Sequence, residues 1–392
     1  MQEHPILGRL WLGYSPLLDR QRALVATRLT VYPMAPDMPV DATALLAALA
    51  DAWPTDAAGA RQSLLLNAAS EPLLRAVLGG GGGYRPQLEV PAFLVADPAL
   101  VEALVTYKAA GGTLALRGGP LASLPAPLHG LFGQVITDAA VATRATGGPS
   151  MIVVGDGTLA TLSAAFERGA DTVLGWPFGD TPAPVRGRAM PPEVQAIVEL
   201  IDRVRREEPV DRLEAVLKKD ATLAFRLLRL LNSAAFGLTV EVSSLRHALM
   251  LLGYQRLGRW LAVLLASASK DPDMRPVMLA AVRRGLLFEE LLRSSEDAEM
   301  RGELFICGIF SLLDRMMQLP FETLLKMVPV PARVQEALLG TGGPFLPYLD
   351  LARAIESESL FDIRETAERL LVGPAELNRA LLHALVAARE VD

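Results

Sequence analysis

The side chains able to do chemistry are few. Four histidines are present, His4, His129, His247 and His383, and no two stand at the HxxxH or HExxH spacing that puts two imidazoles on one helical face for a metal. The single cysteine, Cys307, rules out an intramolecular disulfide and any CxxC redox or zinc site. It falls in an apolar run and is expected to be a buried thiol. Ser311 lacks the G-x-S-x-G turn that would expose a nucleophile. Five glycines, Gly79 to Gly83, have the composition of a phosphate cradle. They follow a helix-type run and carry neither the lysine nor the Ser/Thr of a P-loop, so they read as a surface loop. What remains is a set of arginines. Arg226, Arg229, Asn232, Arg256, Arg259 and Trp260 gather around two helix-type runs, and interfaces favour arginine and tryptophan. They form a candidate partner surface, with the covering of a helical bundle as the plain alternative.

The elements that must position these residues lie between Asp220 and Gly253. In the first run Leu223, Leu227, Leu230 and Leu231 recur with helical period, which leaves Arg226 and Arg229 elsewhere on the wheel. Asp220 suits an N-cap, and a turn is expected near Asn232 and Gly237. A second helix should start at Ser243 and Ser244 and close at Gly253, where glycine tolerates a left-handed conformation.

Upstream the periodicity is different. Short β-type runs at 24–31, 63–67, 88–95, 113–116, 134–137, 151–154 and 172–175 alternate with helix-type runs such as 97–110 and 158–168. That order predicts an α/β domain closing as a TIM-type barrel, reduced or degenerate because some helices look short or missing. Four prolines between Asp180 and Pro192 fix their own φ and push the preceding residues out of the helical region, which predicts a linker over 181–191. Beyond it every run is helical: one from Pro192, one capped by Asp211 with Glu214 three residues on, then 276–294, 303–318, 320–327, 332–339, 348–355 and 375–388. The expected domains are therefore 1–180, a barrel, and 192–392, all-α.

With 392 residues, 51% hydrophobic and 21% charged, the chain can bury a large core. A net charge of −6 supplies no general attraction to nucleic acid or anionic lipid, so neither is an expected partner. The amino terminus does not read as a signal peptide, and the most apolar run, Trp260 to Ala268, is too short for a bilayer. A cytoplasmic protein without a membrane partner is the expectation, with a homo-oligomer left open.

The stretch DATLAFRLLRLLNSAAFG with the later HALMLLG resembles the HDOD domain, an all-helical signalling module related to HD phosphohydrolases. The first half, through LGYSPLLDRQRALVATRLTVYP and ERGADTVLGWPFG, is similar to EAL domains, the barrels that hydrolyse cyclic di-GMP. Together the halves resemble bacterial EAL-HDOD proteins, and ICGIFSLLD at Ile306 to Asp314 resembles their form of the HD segment.

The resemblance implies a metal site in each half, and each is checked by position. Catalytic EAL domains hold two divalent cations on acidic and amide oxygens. Here the first glutamate falls on Thr27, Asn67 fits the metal-binding asparagine, Glu89 matches an upstream glutamate, and the ligand glutamate falls on Ala92. The paired aspartates fall on Arg117 and Gly118, and the last glutamate and glutamine on Gly157 and Leu174. In the HD segment the His-Asp pair falls on Ser311 and Leu312, the upstream histidine falls within VRRGLLFEE, and Asp314 reads as a helix-surface or structural acid. The expectation is thus a chain with no catalytic residue, metal or cofactor: a signalling or scaffold protein whose HDOD domain engages a protein partner. The alternative is a receptor that binds cyclic di-GMP or another nucleotide without cleaving it. Thr27, Arg28, Asn67 and Arg117 are the candidate ligand pocket. Arg117 could receive a phosphate, while Arg28, as the strand neighbour of Thr27, is expected to face away from the site.

Overall fold

The computed structural model describes residues 4–35, 38–53, 63–80, 83–139, 148–179, 192–231, 244–269 and 271–388. The expected linker over 181–191 and the turn at Asn232 and Gly237 lie outside them.

The first half closes as a barrel whose strands follow chain order. Its elements are β1 (Leu10–Leu18), β2 (Leu24–Pro33), α1 (Ala42–Ala52), β3 (Ser63–Ala68), α2 (Glu71–Gly79), β4 (Gln87–Pro91), α3 (Pro98–Ala109), β5 (Thr113–Arg117), α4 (Ala126–His129), β6 (Gln134–Asp138), β7 (Ser150–Val154), α5 (Leu159–Glu167) and β8 (Thr172–Leu174). All seven expected strands form. The eighth, β1, closes the ring by pairing antiparallel with both β2 and β8, while the other neighbours pair parallel. β1 escaped the sequence reading because every one of its residues is buried, so LWLGYSPLL has no alternation, and Gly13 and Pro16 are poor strand formers. The strand expected over 88–95 is shorter: β4 ends at Pro91 and residues Ala92–Ala96 wind into a 3-10 turn.

Side-chain alternation assigns the two faces of the barrel wall. Leu17, Ala26, Leu65, Ala115, Ile136, Ile152 and Leu174, drawn from seven strands, pack together as the interior. Their strand neighbours Leu18, Met151, Val153 and Val173 pack outward against Leu162, Ala165 and Phe166 of α5. The caps follow local chemistry: Asp41, Asp97 and Thr158 accept amide N–H groups at the starts of α1, α3 and α5.

Beyond the barrel, every element among the described residues is helical. In order these are α6 (Pro192–Arg205), α7 (Val210–Leu217), α8 (Ala221–Leu231), α9 (Leu245–Ala266), α10 (Arg275–Leu291), α11 (Ala298–Phe310), α12 (Leu313–Met317), α13 (Phe321–Met327), α14 (Ala332–Leu339), α15 (Leu346–Glu356), α16 (Leu360–Arg369) and α17 (Pro374–Ala387). Asp220 and Ser244 cap α8 and α9, and Leu223, Leu227 and Leu231 are buried, as their spacing predicts. Gly253 takes φ 68° and ends the first arm of α9, after which a second arm starts at once. Three readings are corrected. Pro209, not Asp211, precedes α7, and Asp211 and Glu214 instead pair with Arg246. The helix expected over 303–318 breaks at Ser311 and Leu312 into α11 and α12. α16 was not anticipated.

Contacts divide the chain into two compact units: Met1–Asp180 with Asp271–Leu279 and Pro347–Asp392, and Thr181–Lys270 with Ala280–Leu346. The last helices, grouped by sequence with the helical half, thus pack on the barrel. Asn378 of α17 is fully buried and donates to the Leu7 and Leu10 carbonyls, 2.8 Å each, at the start of β1. No single helix among the described residues is long and apolar enough to cross a membrane.

Candidate functional site

The interior face of β2 continues from Ala26 through Arg28, Thr30 and Tyr32, because alternate residues of a strand share a face. Register extends that face around the ring. Arg28 lies opposite Leu65, Thr30 opposite Asn67, Glu89 opposite Ala115, and Arg117 opposite Ile136. Arg28, Thr30, Asn67, Glu89 and Arg117 therefore form a polar layer on the apolar plug, toward the C-terminal ends of the parallel strands. In barrels of this kind that end carries the functional groups.

Thr27 and Arg28 exchange the places expected for them. Thr27 lies opposite Leu64, shares the outward face and is fully buried behind the wall, so it takes no part in the layer. Arg28 is at its centre. Its Nε and Nη2 donate to the two oxygens of Glu89 at 2.6 and 3.0 Å, and Nη1 donates to Glu358. Burial works against the guanidinium charge, but the fields and hydrogen bonds of Glu358 and Glu89 more than offset it and hold its pKa above the ordinary arginine value. Arg117 approaches the same carboxylate, with Nη1 3.6 Å from Glu89 Oε1, and its side chain is 30% exposed against 12% for Arg28. Asn67 donates from Nδ2 to Thr30 Oγ1 at 3.1 Å. The structure thus brings together Arg28, Asn67 and Arg117 of the expected pocket and leaves Thr27 out.

The residue that completes the layer was not foreseen. Glu358 sits in the turn between α15 and α16, 330 residues from Arg28. Its Oε2 accepts from Thr30 Oγ1 at 2.7 Å as well as from Arg28, and its backbone carbonyl accepts from Tyr32 Oη at 2.5 Å. Tyr32 stays a donor at ordinary pH, since burial, then the Glu358 charge, pushes its phenol up to about 12. Gly13 makes the approach possible: a Cβ there would lie 3.1 Å from the Glu358 Cα.

The helical unit has its own buried polar centre. Arg284 Nη1 donates to Ser311 Oγ at 2.9 Å, and Ser311 donates to the Gly308 carbonyl at 2.7 Å. α10 and α11 come this close through glycines, because a Cβ on Gly308 would stand 2.6 Å from the Gly285 nitrogen. Asp314 is buried rather than on the helix surface. It pairs with Arg315 at 2.8 Å, and burial raises its carboxyl above the usual range. Cys307 is a buried free thiol.

Of the candidate partner surface, Arg226 and Arg229 are exposed on α8, Arg256 is exposed on α9 and Trp260 is half-buried; Asn232 lies outside the described residues. Arg256 and Arg259 line a cleft of about 530 Å³ with Arg205, Glu289, Arg301 and Glu303. Arg259 is held there by Glu289 and by the Phe305 ring, 4.3 Å from its guanidinium carbon.

The fold is thus a closed barrel followed by helices. The HDOD domain family matches residues 189–323. Among curated proteins the chain is similar to the uncharacterized protein YuxH of Bacillus subtilis, 25% identical over 211 residues that cover 53% of this chain and 51% of that one. It is also similar to the cyclic di-GMP phosphodiesterase CdgJ of Vibrio cholerae, 27% identical over 181 residues covering 46% and 42%. The chain spans about half the length of the curated relatives it matches. The solved structures it is similar to include the FimX EAL domain of Xanthomonas citri in complex with c-diGMP, at 18% identity and a TM-score of 0.31 over 43% of this chain and 87% of that one.

Proposed function

We propose that this chain is a non-catalytic component of cyclic di-GMP signalling, in which the barrel does not cleave the dinucleotide and the HDOD domain engages a protein partner. One observation carries the reading: a permanently charged guanidinium, Arg28, stands in the middle of the polar layer and engages both oxygens of Glu89. The oxygen donors of that layer are Thr30, Asn67, Glu89 and Glu358, and the two carboxylates are already answered by arginine. Arg28 occupies both oxygens of Glu89 and one of Glu358, so a divalent cation would have to compete with a fixed guanidinium for the carboxylate oxygens of the layer. This donor set does not fit the pair of cations an EAL hydrolase needs. Purified full-length chain incubated with cyclic di-GMP and Mg²⁺ or Mn²⁺ is expected to release no linear dinucleotide. Metal-dependent release would overturn the reading.

A second reading, binding without cleavage, has its own support in Arg117. Its partly exposed guanidinium ends β5 at the functional end of the barrel, where it can meet a phosphate oxygen. Phe93, 78% exposed in the turn after β4, offers a ring at the same end. The partner surface under the leading reading is the α8 and α9 face that carries Arg226, Arg229 and Arg256.

A further inference from the structure

We propose that Glu358 is a built-in competitor for an anion site formed by Arg28 and Arg117, and that phosphate-bearing ligands enter the barrel by displacing it. The inference rests on the reading that the barrel binds without cleaving.

Three observations converge on the Glu358 turn. The first is its backbone. α15 ends in a Schellman turn, with the Ser359 amide donating to the Ala354 carbonyl at 3.2 Å, and Glu358 holds the left-handed position with φ 55°. Glycine is commonest there because a Cβ is strained, yet this chain has a charged residue. The second is the fit to β1. Gly13 lacks the side chain that would exclude the turn. The third is the carboxylate itself. Oε2 takes donors from Arg28 and Thr30, as one oxygen of a phosphate would, while Oε1 is buried without a hydrogen-bond partner. A strained backbone and a half-satisfied carboxylate are poor choices for a purely structural contact.

Charge supplies the ligand class. Arg28, Arg117, Glu89 and Glu358 sum to zero; withdrawing Glu358 leaves one net positive charge and three open donors, from Arg28, Thr30 and Tyr32. That arrangement receives a phosphate or phosphodiester. Displacement needs only the turn between α15 and α16 to lift, since Asn378 keeps α17 on the barrel independently.

The test compares full-length wild-type, Glu358→Gln and Glu358→Gly chains by titration calorimetry with cyclic di-GMP and, separately, inorganic pyrophosphate. Glu358→Gln keeps the side-chain shape without its charge. Glu358→Gly removes the side chain and suits φ 55°, so the turn is preserved. Both variants are expected to bind one or both probes about tenfold more tightly than wild type, the gain that follows when the open form is about a tenth of the population. Adding Arg117→Gln to Glu358→Gln should remove the gain. A gain for pyrophosphate alone would identify a small phosphate anion, and a gain for cyclic di-GMP a phosphodiester; either supports the site. Variants that bind both probes no better than wild type would overturn it. Hydrolysis of cyclic di-GMP by the wild-type chain is a separate outcome that falls on the non-catalytic reading.

Discussion

The barrel and the helical unit each place an arginine at a buried polar centre, and the contacts made there differ. In the barrel, Arg28 is clamped between two carboxylates, Glu89 and Glu358, with a second arginine sharing one of them. In the helical unit, Arg284 donates to a neutral hydroxyl, Ser311, at a glycine-glycine helix crossing. The first centre is held by charge, and charge can be exchanged for that of a ligand. The hydrogen bond at the second stands where packing through two glycines brings helices together.

That contrast can be broken by experiment. The largest effect is expected for Glu89→Gln, which takes from Arg28 and Arg117 the carboxylate they share. Removing one member of a buried ion pair costs about 3–5 kcal/mol, and the loss should lie near the lower end because Glu358 still answers Arg28. Urea unfolding measures it. Ser311→Ala should cost less, about 1.5 kcal/mol, the lower end for a hydrogen bond to a charged group. Equal losses at the two sites would erase the distinction drawn above. The smallest effect concerns Asp314, whose carboxyl burial raises above the ordinary range. The folded chain then keeps a proton that the unfolded chain has released, so this group makes stability fall as pH rises from about 4, the unfolded value, through the folded value, and adds no slope beyond. Thermal melts across that interval should show Asp314→Asn gaining on wild type as pH rises. A constant offset would mean that burial does not penalise this carboxylate.

Much of this was legible in the sequence, for local reasons. Apolar alternation marked seven of the strands, and Asp97, Thr158, Asp220 and Ser244 marked helix starts, because a capping side chain acts within three residues of itself. The leucine spacing of α8 and the HDOD-like pattern around it needed no tertiary information. β1 was lost because a strand buried on both faces carries no period.

The candidate site divides along the same line. The sequence put forward Thr27, Arg28, Asn67 and Arg117 as a pocket, with Arg28 expected to face away, and marked Glu89 only as the match to an upstream glutamate of EAL domains. Which of Thr27 and Arg28 faces the interior was a question of parity, and a shift of one residue reverses every side chain of a strand. Only closure of the barrel settled it, by seating Ala26 and Leu65 in the interior cluster. Glu358 could not have been found by reading along the chain. Nothing in its own neighbourhood marks it, and it meets Arg28 where the turn before α16 comes against Gly13 of β1. Periodicity and capping are local forces and are written in order along the sequence; the meeting of Arg28 with Glu358 across 330 residues is a product of the fold.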